Sequence, residues 1–312
     1  MEVIGFFSGV GGIEEGFRQA GFNPLWANEI DEKVAKVFAS NHNCKIVVDD
    51  IKNLNIKDIP EATGIVAGFP CQAFSVAGYQ KGFKDDRGIV FFYLADIIKK
   101  KKPRFVFMEN VKNLVSHDKG KTYKTIINIL EDAGYHIKTA ILNACEYANL
   151  PQNRERTYIV SFLEKECYER FKFPSSIPLT CTIKDIIDFN NKVDDEFYYT
   201  KEKTFFYSHL ASSITKNNTV YQWRRTYVRE NKANLCPTLT ANMGTGGHNV
   251  PIILTKYGIR KLTPRECFSL QGFNDSFIIP QDMRNTSLYK MAGNSVVIPL
   301  IARIAKKIYE TL

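Results

Sequence analysis

The first half of the chain alternates short apolar runs with segments of helical period, and few architectures accept that pattern. Each run is long enough for a strand, and each intervening segment is long enough to cross back over a sheet. The alternation therefore reads as βαβ units around a mostly parallel sheet. Strands are expected at 3–7, 24–27, 45–48, 64–68 and 104–108. Helices are expected at 13–20, where Ile13, Phe17 and Ala20 share a face, and at 89–98. From about Phe173 prolines, polar runs and aromatics replace this regularity, and helical periodicity returns at 264–271 and 299–308. The expectation is an α/β fold with a doubly wound, mostly parallel sheet and a smaller, irregular domain. Residues 1–172 form the first domain, 173–260 the second, and 261–312 a C-terminal segment packing back onto the first.

Parallel strands place their carboxyl ends along one edge, where open α/β sheets hold ligands. That edge carries Phe7 and the turn Ser8-Gly9-Val10-Gly11-Gly12, then Asn28-Glu29-Ile30-Asp31, Asp49-Asp50-Ile51, Phe69-Pro70-Cys71-Gln72 and Glu109-Asn110-Val111. One polar strand end is ordinary, whereas five in succession point to a site. A glycine turn followed by an acid on the next strand suits a nucleotide, with the backbone approaching closely and Glu29 accepting ribose hydroxyls. However, Glu14 stands where GxGxxG has its third glycine, and Glu14 and Glu15 at a helix start would repel a pyrophosphate. A nucleoside without phosphates and with a cationic centre fits better. S-adenosylmethionine is such a ligand.

Cys71 and Glu109 belong together chemically. Cytosine C5 is a poor nucleophile until something adds at C6, which a soft thiolate can do while a nearby carboxyl group stabilises charge moving onto N3. Cys71 ends one strand and Glu109 closes the next, beside it in a right-handed βαβ unit. Arg154 and Arg156 alternate along an extended segment and can present guanidinium groups on one side, to a cytosine carbonyl or a phosphate.

Composition agrees without deciding. Lys and Arg number 42 against 33 Asp and Glu, a net charge of +9 that favours a polyanionic partner. The seven cysteines form no CxxC pair or Cys/His cluster, so neither a metal site nor a disulfide framework is expected. No signal peptide and no apolar stretch near the ~18 residues of a membrane span is present, and a cytoplasmic protein is expected.

Eight blocks then occur in one order: FSGVGG at 7–12, NEID at 28–31, DI at 50–51, GFPCQAFS at 68–75, MENV at 108–111, QNRER at 152–156, PTLT at 237–240 and GNSVV at 293–297. In this the chain resembles the bacterial cytosine-5 DNA methyltransferases of restriction-modification systems, over nearly its whole length. The resemblance implies the fold of S-adenosylmethionine-dependent methyltransferases, with the second domain recognising the target. It implies Cys71 as nucleophile, Glu109 as partner of N3, and Arg156 as a clamp on the base with Arg154 close by. Phe7 would lie against the cofactor beside Gly9, Gly11 and Gly12; Glu29 would bind the ribose, Ile30 and Ile51 sandwich the adenine, and Asp50 meet its amino group. Pro70, Val90, Asn294 and Ser295 would complete that pocket. Ile30 stands where the family often has an aromatic. Double-stranded DNA is the implied partner, a cognate restriction endonuclease a further one, and a monomer the implied state.

Such an enzyme must flip its target base out of the duplex. The segment 72–88, with Ser75, three glycines and Lys81, Lys84 and Arg87, reads as a loop closing over DNA. Around PTLT, a first recognition loop would hold Gln222, Arg224 and Arg225, and a second would hold Asn242, Gly244, Gly246 and Gly247, with Thr238 between them. Three other readings compete: an RNA methyltransferase with the same apparatus; a nicotinamide-dependent oxidoreductase, against which the incomplete glycine fingerprint stands; and a catalytically inactive DNA-binding relative, against which the intact Cys71 and Glu109 stand.

Overall fold

The computed structural model describes residues 1–70, 90–245 and 250–312. The readings made at Cys71, Ser75, Lys81, Arg87, Gly246 and Gly247, and for the segment 72–88, lie outside those residues. The chain divides into two compact units. One comprises Met1–Leu142, Glu155–Ser175 and Ile298–Leu312, and the other Asn143–Arg154 and Ser176–Val297. The segment expected to pack back as a whole is therefore shared: Ile298–Leu312 joins the first unit and 261–297 the second. Periodicity reveals a helix and its apolar stripe, but not which core the stripe faces.

In the first unit, β1 (Glu2–Phe6), β2 (Asn23–Glu29), β3 (Lys45–Val48), β4 (Gly64–Ala67), β5 (Phe105–Val111) and β6 (His136–Asn143) build a sheet. The two-residue β7 (Gln152–Asn153) is separate, and β8 (Glu155–Phe162) enters the sheet, giving the order β3-β2-β1-β4-β5-β8-β6. The ladders from β3 through β5 are parallel. β8 runs antiparallel to β5, in a register from Phe105↔Phe162 to Val111↔Arg156. The five strands expected from sequence are present, with no end shifted by more than three residues.

β5 shows why the sheet is covered on both faces. Its side chains alternate, and all of Phe105, Val106, Phe107 and Met108 are inaccessible to solvent. Phe105 stacks on Phe17 of helix α1 (Gly12–Gln19) and Phe107 meets it edge-on, at 6.0 and 5.2 Å between ring centroids. Val106 and Met108 join the opposite core, with Phe91, Leu94 and Ile98 of helix Val90–Lys101 and Ile126 and Leu130 of helix Lys121–Asp132.

The second unit holds a four-stranded sheet of β9 (Tyr221–Trp223), β10 (Val228–Glu230), β12 (Ile252–Thr255) and β13 (Gly258–Lys261), in the order β10-β9-β12-β13; β11 (Cys236–Pro237) pairs instead with β7. Its small core gathers Phe206, Leu210, Tyr221, Trp223, Ile252 and Ile259, with Phe206 and Trp223 stacked at 4.6 Å. A fully buried Arg260 pairs with Glu266 at 2.7 Å, and Glu266 also closes the capping box of helix Pro264–Ser269.

α1 and the C-terminal helix Ile298–Thr311 touch at Gly16. A Cβ there would stand 2.5 Å from Ile301 Cγ2 and 3.1 Å from the Ala302 amide nitrogen. Helix–helix approach this close requires glycine, and overpacking outweighs the better helix propensity of alanine. Gly16→Ala is expected to lower stability by about 1–3 kcal/mol. Urea titration checks this, and an unchanged midpoint would show that the helices can part without cost.

Candidate active site and nucleic-acid interface

At the carboxyl edge of the first unit, side chains hold the loops by their main chain. Glu29 Oε2 accepts the Gly9 amide at 2.9 Å, while Oε1 accepts the amides of Ile30 and Asp31 at 2.8 and 3.0 Å. Asn28 Nδ2 donates to the carbonyls of Val47 and Asp49 at 3.1 and 2.8 Å. Asp31 caps helix Glu32–Asn41, and Asp50 caps the turn Ile51–Asn53 and pairs with Lys52 at 3.2 Å.

The glycine turn is built for close approach. Phe7, Gly9 and Gly11 have φ of 54°, 59° and 88°, a region that favours glycine and strains a phenylalanine. Nothing lies within 4 Å of a Cβ placed on Gly9, whereas one on Gly11 would meet the His42 ring at 2.0 Å. Gly9 thus leaves open space and Gly11 leaves room for His42, whose Nε2 lies 3.3 Å from the Val10 carbonyl oxygen. Gly12, buried, is the first residue of α1. Ile30 is 62% exposed, an apolar side chain offered beside Glu29, whereas Ile51 is 4% exposed and packs in the core. Pro70 is exposed, and Val90 is half-buried at its helix start.

Glu14 lies beneath this turn, 1% exposed. Burial, with the negative Glu29 adding, pushes its carboxyl up to about 7. Sequence reading took Glu14 only as a repeller of phosphate, because the residue following Ile13 could not be placed inside or outside the helix bundle from spacing alone.

Glu109 is 8% exposed, and its Oε1 lies 3.2 Å from Arg156 Nε. The neighbouring Asn110 donates through Nδ2 to the Phe69 carbonyl at 2.8 Å, tying the end of β5 to the chain two residues before Cys71. Asn110 was assigned no role from sequence; the signal available was a polar residue between Glu109 and Val111 in a strand otherwise apolar.

Arg154 corrects the expectation that it shares a face with Arg156. β7 and β8 are different strands in different sheets, so the alternation of one continuous strand does not apply. Arg154 is 3% exposed in the second unit and donates to the carbonyls of Leu239 at 2.8 Å and Gly293 at 3.2 Å, and to that of Ser295. Beside it, the wholly buried Gln152 donates to the Leu270 carbonyl at 2.8 Å. Asn294 is exposed and Ser295 buried, both in the second unit.

An open pocket of about 720 Å³ lies in the second unit, lined by Asn153, Gln222, Arg224, Arg229, Thr238 and Asn242 among others. Thr238 donates to the Asn153 carbonyl at 2.6 Å, and Asn242 accepts from Thr240 at 2.7 Å. Arg225, exposed with φ of 65°, is not among the lining residues. At Gly244, with φ of 78°, a Cβ would meet the Tyr289 ring at 2.6 Å, so the absence of a side chain makes room for that ring. Among the described residues no group could hold a metal ion, and no helix is long and apolar enough to cross a membrane.

A family model described as C-5 cytosine-specific DNA methylase matches residues 1–310. The chain belongs to that family. Type II methyltransferase M.Bsp6I of Bacillus sp. (strain RFL6) is 55% identical to this methylase, over 100% of this chain and 99% of that protein. Type II methyltransferase M.HhaI of Haemophilus parahaemolyticus is 34% identical over 100% and 95%. The Dnmt2 methyltransferase of S. pombe shares the fold, with a TM-score of 0.77 over 99% of this chain and 98% of that one at 17% identity.

Two predictions follow from the side chains buried in this methylase. Arg154→Met leaves three main-chain carbonyls without their donor and should cost about 3 kcal/mol or more of stability. Denaturant titration measures it, and an unchanged midpoint with turnover abolished would return Arg154 to the reacting centre. Glu14 binds its proton more tightly folded than unfolded, so between about pH 4.5 and 7 the folded state holds more protons and stability falls as pH rises. Glu14→Gln should therefore gain on the parent across that window, by up to about 3 kcal/mol at pH 8. Parallel stability curves at pH 5 and pH 8 would exclude a proton on Glu14.

Proposed function

We propose that this methylase transfers a methyl group from S-adenosylmethionine to C5 of a cytosine flipped out of a specific double-stranded DNA sequence, after Cys71 adds to C6. The observation that carries this reading is the Glu109–Arg156 pair at the carboxyl edge, on the strand whose Asn110 holds the chain leading to Cys71. Arg156 orients the Glu109 carboxyl group, and its remaining donors suit the cytosine carbonyl. Glu109 stabilises the charge that moves onto N3 as the thiolate forms its bond at C6 and C5 becomes nucleophilic. C5 takes the methyl group and then loses its proton, and expulsion of the thiolate restores the ring.

The carboxyl edge fits the cofactor's chemistry. Glu29 retains acceptor capacity beyond its three amides, Gly9 faces open space, and Ile30 offers an exposed apolar surface. Phe7, Gly11, Gly12, Asp50, Ile51, Pro70 and Val90 complete the proposed binding set. When bound, S-adenosylmethionine supplies an electrophilic methyl group on a sulfonium. The net charge of +9 suits DNA, and the second unit is the proposed target-recognition domain, with Gln222, Arg224, Thr238 and Asn242 on its pocket. Relatives at 55% and 34% identity are named Type II methyltransferases, which suits a modification enzyme paired with a restriction endonuclease.

DNA in which the target cytosine is replaced by 5-fluorocytosine should be trapped covalently, because the fluorine cannot leave as the proton does. Cys71→Ser should keep DNA binding and lose both methyl transfer and trapping, since a hydroxyl is far less nucleophilic than a thiolate at neutral pH. Normal turnover by the serine variant would overturn the role of Cys71, and transfer to tRNA in preference to DNA would favour the RNA reading.

A further inference from the structure

We propose that Gln222 and Arg229, neither of them a loop residue, form one base-reading unit of the second unit's pocket, with Arg229 as a specificity-determining residue. The proposal rests on the reading of that pocket as the DNA-recognition surface. β9 and β10 pair antiparallel with Gln222 directly opposite Arg229, and both residues line the pocket. Directly opposed side chains project from the same face with Cβ atoms about 5 Å apart. Strand alternation sends Tyr221 and Trp223 the other way, into the core beside Phe206. The two polar side chains are thereby mounted on a rigid element, with their direction decided by the packing behind them.

Their hydrogen-bonding state points to a ligand. Gln222 is 9% exposed, yet among the described residues its amide makes no hydrogen bond. An amide that lines the pocket with no protein partner keeps its donors and its acceptor available to whatever enters. Arg229 is exposed and has no acidic partner among the described residues, although Glu230 follows it; Glu230 is engaged by Lys216 at 2.8 Å. A guanidinium matches the two acceptors on the major-groove edge of guanine, and an amide beside it can donate and accept on the same or the next base pair. Arg224, just past the end of β9, lies nearer the hairpin tip, where its main chain pairs with Tyr227. Arg225 sits at that tip in a left-handed backbone conformation, outside the pocket lining, and is assigned to the phosphates.

The test uses the full chain. Sequencing of DNA methylated by the wild type first defines the target, and binding is then measured to that duplex and to every single-base-pair variant of it, at two salt concentrations. Arg229→Ala should weaken the target duplex roughly tenfold to a hundredfold and erase discrimination at one base pair, with the salt slope nearly unchanged. Arg229→Lys keeps the charge and should lose the same discrimination, because an ammonium lacks the fork. Gln222→Ala should relax preference at the same or the adjacent base pair, and the double variant should lose less than the sum of the two. Arg225→Ala should weaken all duplexes alike and lower the salt slope. Full selectivity in Arg229→Lys, or a uniform loss in Arg229→Ala, overturns the proposal while leaving the methylase reading intact. Absence of any sequence preference or methylation in the wild type would instead overturn the reading on which it rests.

Discussion

Where a parallel sheet ends, its ladder stops while the chain turns away, and the last amides and carbonyls must find other partners. In this methylase side chains from the neighbouring strand supply them. Glu29 gathers the amides of Gly9, Ile30 and Asp31; Asn28 holds the carbonyls of Val47 and Asp49; Asn110 holds that of Phe69. Each loop that carries a candidate binding residue is thus fixed by the strand beside it. A site assembled this way is positioned before any ligand arrives, which is what catalysis by orientation and electrostatics requires.

The second unit solves the same problem by burying donors. Arg154 and Gln152 reach main-chain carbonyls at Leu239, Leu270, Gly293 and Ser295, segments far apart in sequence. Gly293 is part of that closure, since a Cβ there would stand 2.2 Å from the Thr240 carbonyl oxygen. With these segments locked together, the β9–β10 hairpin can leave polar side chains facing the pocket without loosening the unit behind them.

Much of this was legible in the chain. The βαβ alternation located the strands of the main sheet, while the recurrence of polar strand ends pointed to its carboxyl edge as the candidate site, with Cys71 and Glu109 paired there on what cytosine chemistry demands. Arg154 and Arg156 show where that reading failed. Two arginines in alternate positions share a face only if one strand runs through both, and the break between β7 and β8 sends one into each unit. Glu14 and Asn110 were passed over for a related reason: burial is a property of what packs around a residue, and no local spacing reports it.

What the sequence determined by itself was therefore the class of fold and the family, because strand period, turn glycines and short motifs are local features. Only the tertiary structure decided which charges are exposed and which are structural. Arg154 disappears into carbonyls and Arg156 meets Glu109, while Arg229, unremarked in a basic stretch, is brought opposite Gln222 by strand register. The physical reason is that desolvation and hydrogen-bond pairing depend on neighbours from distant parts of the chain.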